Sequence, residues 1–355
     1  MTSEDPIRVR EILRKRWVKP TAIVLVSLLV GWFILRFIGK ISWSAVGDAV
    51  RSVSLWELLA LIGMLLVRQT VNALPIARFT PGLGLPKAMV SDVSANLAGT
   101  VAPPPGDVVV RIAQFRTWGI SPVDGMAGAT LNMLVFYGAR FAAPAIGAVI
   151  FSIYAFDTGK AVAGAVSLLI AIAIVVALVA VLRSESIAAR LARRAARAAN
   201  TMSATVEEES WVETVLDFRR RIDGTLRGNL APALLAMILG IVIDAAMLVA
   251  AVRFVGIGAD VAPWPVVLGS VLLAYPLTIL PMFGLGVLDA VVIATIVDVA
   301  GVEYESALVG ATMVWRVITL GGTLGLGALA MAWWRATTRR ASGPPEPAEP
   351  EPAAS

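Results

Sequence analysis

The chain has 355 residues, of which the apolar types AVILMFWYC make up 58% and charged residues 15%, with a mean hydropathy of +0.80. A soluble domain carries about 45–50% apolar residues even with glycine counted in, and about 25% charged, so the surplus excludes a water-soluble globular protein and points to a polytopic membrane protein. Histidine and cysteine are absent, which excludes an imidazole base, a His or Cys metal site, a disulfide and a thiolate nucleophile; the 30 Lys+Arg against 25 Asp+Glu are read as topology and lipid contact rather than nucleic-acid binding.

Residues 1–19 form a basic N-terminal segment with Arg8, Arg10, Arg14, Lys15, Arg16 and Lys19, followed by the apolar run Thr21–Ile38. That run is long enough to span and ends in bulky residues instead of an Ala-x-Ala-like site. We therefore expect a retained helix, not a cleaved signal. Further spans are expected at Leu55–Leu74, Gly125–Ile153, Ala161–Leu182, Leu230–Phe254 and Ala307–Trp334. Each supplies the ~20 residues that a ~30 Å hydrocarbon core requires at ~1.5 Å per residue.

Two stretches do not fit simple spanning. Residues 86–118 are interrupted by Pro103-Pro104-Pro105-Gly106, and residues 262–300 by Pro276, Pro281, Gly284 and Gly286. Proline removes a backbone donor and stops the helix in both places, leaving arms too short for a comfortable crossing. Both read as re-entrant hairpins.

Loop charge gives the orientation. Arg78, Lys87, nine Lys/Arg within Arg183–Gly228, and Arg335, Arg339 and Arg340 join the six N-terminal cations on one side, twenty in all, whereas the complementary loops hold only Lys40, Arg51 and Lys160. This positive-inside bias places both termini in the cytoplasm of a cell (inner) membrane. The organisation expected is a first membrane half over 20–182, cytoplasmic amphipathic helices over 183–229, a second half over 230–334 and a disordered tail over 335–355. Within 183–229, Ile187–Ala199 opposes an apolar stripe to Arg190, Arg193, Arg194 and Arg197, which suits an anionic membrane surface, and Trp211–Leu226 carries a second helical stripe.

Helix, hairpin and helix recur in opposite senses at Leu55–Ile153 and Leu230–Trp334, each hairpin tip carrying Pro, Gly and Asp (Asp107, Asp289) and each following helix one Arg (Arg140, Arg316). Inverted repeats with broken helices meeting near the midplane are the signature of transporter-like folds. The fold class expected is thus an all-α integral membrane protein, a polytopic helix bundle with two re-entrant hairpins in an inverted repeat. The plainer alternative is a bundle with proline kinks and no functional symmetry.

Ionisable residues at membrane depth are costly, about 2.5–3.5 kcal/mol each for a central Arg or Asp on insertion scales. The candidates are Arg68, Asp92, Asp107, Arg111, Arg140, Asp244, Asp289 and Arg316, with Asn72 one turn from Arg68 and Asn96 one turn from Asp92. For Asp107 and Asp289 the local alternative is a helix start after Pro-Gly. For the arginines one reading is internal ion pairing with the aspartates. The other is an anion site, since guanidinium matches phosphate in a bidentate fork. Without histidine, Asp107, Asp244 and Asp289 are the candidate proton carriers. The glycines at 284, 286, 321, 322, 325 and 327 lack the strand-turn-helix context of nucleotide loops; Gly321, Gly325 and neighbouring small residues are expected to let helices approach closely. Trp at 43, 56, 118, 264, 333 and 334 reads as an interfacial belt.

Asn96 with Pro105-Gly-Asp107-x-x-x-Arg111, followed by Trp118-Gly-Ile120, resembles the first signature of the membrane domain of lysylphosphatidylglycerol synthase/flippase proteins. Pro281-x-x-Gly-x-Gly-x-x-Asp289, then Gly301-Val302, Ala307 and Arg316, resembles the second. The resemblance runs from the first helix to Trp334. It implies movement of anionic or glycosylated lipids between leaflets by a stand-alone member, without the family's aminoacyl-transferring domain and without synthase activity. This sequence has Asp where the family commonly has Glu at 107 and 289, and no acid in Asn132–Arg140, so the correspondence is more direct for Arg111 and Arg316 than for Arg140.

The function expected is a non-enzymatic lipid translocase. It would move an anionic phospholipid or polyprenyl-phosphate glycolipid, with Arg111, Arg316, Arg140, Arg68 and Asn96 holding the headgroup phosphate. Asp107 and Asp289 would hold the arginines in the empty site. No cofactor, metal or nucleic acid is expected, and an oligomer is compatible. The alternatives are a membrane scaffold that presents lipid to an envelope glycosyl- or aminoacyl-transferase, and a secondary transporter of a small anion.

Overall fold

The structure is a computed structural model that describes residues 53–101, 106–183, 186, 189–190, 193 and 208–341, with the backbone alone over 208–227. The expected first span Thr21–Ile38, most of the amphipathic stretch Ile187–Ala199, the tip Pro103–Pro105, Trp43 and residues 342–355 of the expected tail lie outside the described residues, whereas residues 335–341 of that tail are not disordered but continue the last helix. Among the described residues every regular element is a helix, and five are long and apolar enough to cross a membrane.

Helix α1, Leu55–Phe79, starts where Ser54 closes a capping box. The Ser54 amide donates to Glu57 Oε2 at 2.7 Å, and the Glu57 amide donates back to Ser54 Oγ at 3.4 Å, satisfying donors that a helix start leaves orphaned. The first interrupted stretch forms two short helices, α2 (Leu85–Val101) and α3 (Gly106–Thr117). Helix α3 stops in a Schellman turn. The Ile120 amide returns to the Phe115 carbonyl at 2.9 Å and that of Gly119 to Arg116 at 3.2 Å, with Gly119 at φ 73°, a conformation glycine adopts at little cost. The Trp118-Gly-Ile120 signature is therefore a helix stop.

Helices α4 (Pro122–Phe151) and α5 (Thr158–Arg183) form an antiparallel pair. The span expected from Leu230 begins earlier: α6 runs unbroken over Glu208–Phe254, absorbing the Trp211–Leu226 stripe, because no helix-stopping residue intervenes and Pro232 is accommodated inside. The second interrupted stretch comprises α7 (Trp264–Ala274), a 3₁₀ extension Tyr275–Ile279, a single turn Pro281–Gly284, and α8 (Val287–Ala300). The last span, α9 (Glu305–Arg316), passes through the π-helical stretch Val317–Gly322 into α10 (Thr323–Ala341).

Helices α1 and α6 pack together at the centre. Helix α2 lies against α10, and α7 against α4, so the first arm of each broken stretch contacts the helix that follows the other one. Small residues permit these crossings. A Cβ on Gly147 of α4 would stand 2.8 Å from Leu272 Cβ and 2.9 Å from the Gly269 carbonyl oxygen, and one on Gly327 of α10 would stand 2.5 Å from the Val93 carbonyl oxygen. The close-approach role expected for Gly321 and Gly325 falls instead to Gly322, against Leu65, and to Gly327; among the described residues nothing lies within 4 Å of a Cβ at 321 or 325. The main core runs through α1, α4, α6, α7, α8 and α9. Outward faces are apolar, as a bilayer solvent requires, with Trp56, Trp264 and Trp333 exposed.

Candidate functional site

At the meeting point of the two broken stretches lies a cavity of 460 Å³, within the range of small-ligand sites. Its walls carry all four arginines singled out by the sequence and three of the four aspartates, Asp92, Asp107 and Asp244, together with Asn72 and Asn96; Asp289 stands behind Arg316, its partner.

Three of the arginines are paired. Arg316, on the last turn of α9, donates from Nε to Asp289 Oδ1 at 2.7 Å, and both side chains are buried. The second oxygen of Asp289 accepts the Gly286 amide at 2.8 Å, so this carboxylate both caps α8 and holds an arginine; the two alternatives for Asp289 coexist. Arg111 pairs with Asp92 at 3.1 Å across the α2–α3 hairpin, and Asn96 donates to the other oxygen of Asp92 at 3.4 Å. Arg68 Nε lies 3.3 Å from Asp244 Oδ1, an ion pair too bent to be a hydrogen bond, and its NH1 donates to Gln69 at 3.1 Å.

Asp107 does not take the expected part. It lines the cavity in the first turn of α3, yet among the described residues it holds no arginine; Asp92, one turn from Asn96, takes Arg111 instead. The reason is the antiparallel hairpin. Asp107 stands beside Gly99 near the tip, while Arg111 lies one turn further down, level with Asp92.

Arg140 has no carboxylate partner among the described residues. It is 5% exposed, and its guanidinium lies 4.2 Å from the centre of the Phe136 ring and 5.6 Å from that of Tyr137. Aromatic faces attract a cation but satisfy none of its N–H donors. Donor atoms on each arginine are buried without a hydrogen bond: Arg68 Nε, Arg111 NH1, Arg140 Nε and Arg316 NH2, joined by Gln69 Nε2. Buried donors without partners are rare and costly, and these converge on one cavity.

Several lining residues carried weak signals or none. Tyr275, buried, sits between the charges of Arg68, Arg140 and Asp244; a lone tyrosine in the apolar run 264–279 was its only sequence mark. Trp315 donates from Nε1 to the Asp244 carbonyl at 3.0 Å, fixing α9 on α6. Phe283 at the second tip holds φ 57°, a left-handed conformation unusual for an aromatic residue. The π-helical stretch begins directly after Arg316, in keeping with the enrichment of π-bulges at functional sites.

The family model described as the lysylphosphatidylglycerol synthase TM region matches residues 21–327. No curated protein matches the chain. The family match covers four of the five described spans, most of the fifth and every residue lining the cavity, and with five helices long and apolar enough to cross a membrane it makes this a multi-pass membrane protein of the lysylphosphatidylglycerol synthase TM-region family.

Proposed function

We propose that the protein is a lipid translocase of the cell membrane, both termini cytoplasmic, that carries a phosphate-bearing headgroup through this cavity without changing it chemically. The observation that carries the reading is the set of unpartnered donors on Arg111, Arg140 and Arg316 around one space, with Arg68 beside them held to Asp244 by an ion pair alone. Phosphate oxygens supply the acceptors these donors lack, and charge-assisted bonds to phosphate are short and strong. Arg140 contributes a positive charge with no carboxylate among the described residues to compete for it, and is the natural first contact. Asn96 and Gln69 supply neutral donors beside it.

The reading treats the α2–α3 and α7–α8 stretches as re-entrant hairpins of an inverted repeat. The crosswise packing of α2 on α10 and α7 on α4 supports this, since a two-fold axis between the halves exchanges those two contacts. In such folds the site lies at the repeat interface near the midplane, where a headgroup passes from one leaflet to the other.

The test is to purify the protein in mild detergent and identify bound lipids by mass spectrometry, beside Arg140→Met. Enrichment of a phosphate-bearing lipid over its share of the membrane, lost in the variant, is the expected result. A bound-lipid profile equal to the bulk membrane in both proteins overturns the reading.

A further inference from the structure

We propose that the slot between α3 and α4 is where the hydrocarbon chain of the ligand leaves the cavity for the bilayer, so that the site takes a lipid phosphate rather than a free one. This rests on the reading above and adds the route and the chain-bearing nature of the ligand.

Helices α3 and α4 are joined by a short turn and close against each other at Phe115 and Gly125, where a Cβ on the glycine would collide with the ring. Beyond that vertex each presents a wall to the cavity: Val108 and Arg111 from α3, and Met126, Thr130, Met133 and Arg140 from α4. With the lining residue Phe136 between Met133 and Arg140, these α4 residues recur at three- and four-residue spacing, the period of one helix face, so they form a single strip about 21 Å long at ~1.5 Å per residue. Chemistry changes along it. Around Arg140 and Arg111 the wall carries unpartnered guanidinium donors; along the strip from Arg140 follow the Phe136 ring and the Met133 thioether, and the Thr130 hydroxyl beyond them is turned back onto the Met126 carbonyl at 2.9 Å. Met133 on that strip is 50% exposed, and Val109, beside the lining residue Val108, is 60% exposed.

An exposed apolar residue on a membrane-spanning helix faces hydrocarbon, and neither rim residue offers a hydrogen bond to a hydrated ion. A soluble anion reaching Arg140 needs a polar mouth. A lipid needs the opposite: a polar end for its headgroup, joined without interruption to an apolar opening toward its own chains. The strip from Arg140 through Phe136 to the exposed Met133 has that form.

The experiment uses the full protein in phosphatidylcholine vesicles containing phosphatidic acid with a diazirine in one acyl chain. Photolabelled peptides are mapped in the wild type, in Met133→Trp, in Val108→Trp/Met133→Trp and in Val162→Trp. Val162 lies on the outward face of α5 and is 57% exposed, so that substitution controls for adding a tryptophan to the lipid-facing surface. Binding of glycerol 3-phosphate, which has the headgroup and no chain, is measured by calorimetry on each. We expect label at Val108, Val109 and Met133, displaced by unlabelled phosphatidic acid, unchanged in Val162→Trp and lost in the slot variants while glycerol 3-phosphate still binds. Met133→Trp alters an exposed position, so it decides the matter if the double variant does not fold. Label confined to the outward face of α5, or slot label that persists in Met133→Trp, overturns the slot while leaving the headgroup site standing. Failure of glycerol 3-phosphate to bind the wild type overturns the headgroup reading, and the slot with it.

Discussion

Asp289 holds two groups at once: one carboxylate oxygen accepts Arg316 Nε at 2.7 Å and the other accepts the Gly286 amide at 2.8 Å. Side chains from two elements, α8 and α9, and the backbone of the strained second tip are thereby tied through one buried residue. An anion that draws Arg316 toward the cavity acts directly on the group that caps α8. Removing either partner of a buried pair leaves an uncompensated charge, at a cost of about 3–5 kcal/mol. Asp289→Ala is therefore expected to lower unfolding stability in detergent by about that amount, and the double variant Asp289→Asn/Arg316→Gln by clearly less than the sum of the single changes.

Arg140 predicts the opposite sign. Its charge is buried against Phe136 and Tyr137 with no carboxylate to compensate it among the described residues. Replacing a buried charge by an apolar group of similar volume is often neutral or stabilising by about 1–4 kcal/mol. Arg140→Met should unfold no more easily than the wild type and still lose lipid binding. Arg140→Lys should recover little of it, since an ammonium lacks the planar fork. Thermal unfolding read beside bound-lipid content separates the two effects.

Gly147 predicts overpacking. A side chain there meets Leu272 and the Gly269 carbonyl, and α4 and α7 would have to move apart. Gly147→Val should cost about 1–3 kcal/mol by the general penalty for adding methylenes to a packed core. Gly321→Ala, where a Cβ has open space, should be close to neutral. The same unfolding measurement compares them.

Arg253 fastens the turn after α6. Its NH1 donates to the Ile257 and Gly258 carbonyls, both at 2.9 Å, and NH2 to that of Ala262 at 2.5 Å. Hydrogen bonds to charged groups contribute about 1.5–3 kcal/mol. Arg253→Ala should raise amide exchange over residues 255–262 selectively, without changing exchange in α1.

Much of this architecture was legible because the bilayer constrains sequence so strongly. Long apolar runs gave the spans to within a few residues at Leu55–Phe79 and Pro122–Phe151, and prolines marked both interruptions. The charged residues of the cavity were legible for the same reason, since each is expensive at depth. Their pairing was not. Asp92 and Asp107 are both acids near Arg111 in the chain, and only the register of the α2–α3 hairpin selects Asp92. The start of α6 at Glu208 was hidden because the polar stretch before Leu230 continues the helix without any stop residue. Tyr275 and Phe283 were missed because an aromatic residue in an apolar run ordinarily signals packing. Trp118-Gly-Ile120, read only as part of the family signature, proves to be the stop of α3.

The most direct test is leaflet exchange in vesicles holding the purified protein. A fluorescent lipid with a phosphate-bearing headgroup is placed in both leaflets, and its access to a membrane-impermeant quencher is followed over time. The account predicts complete quenching with the wild type and a protected inner-leaflet pool with Arg140→Met. Equal exchange by the two proteins, or a wild-type rate no faster than protein-free vesicles, would contradict it.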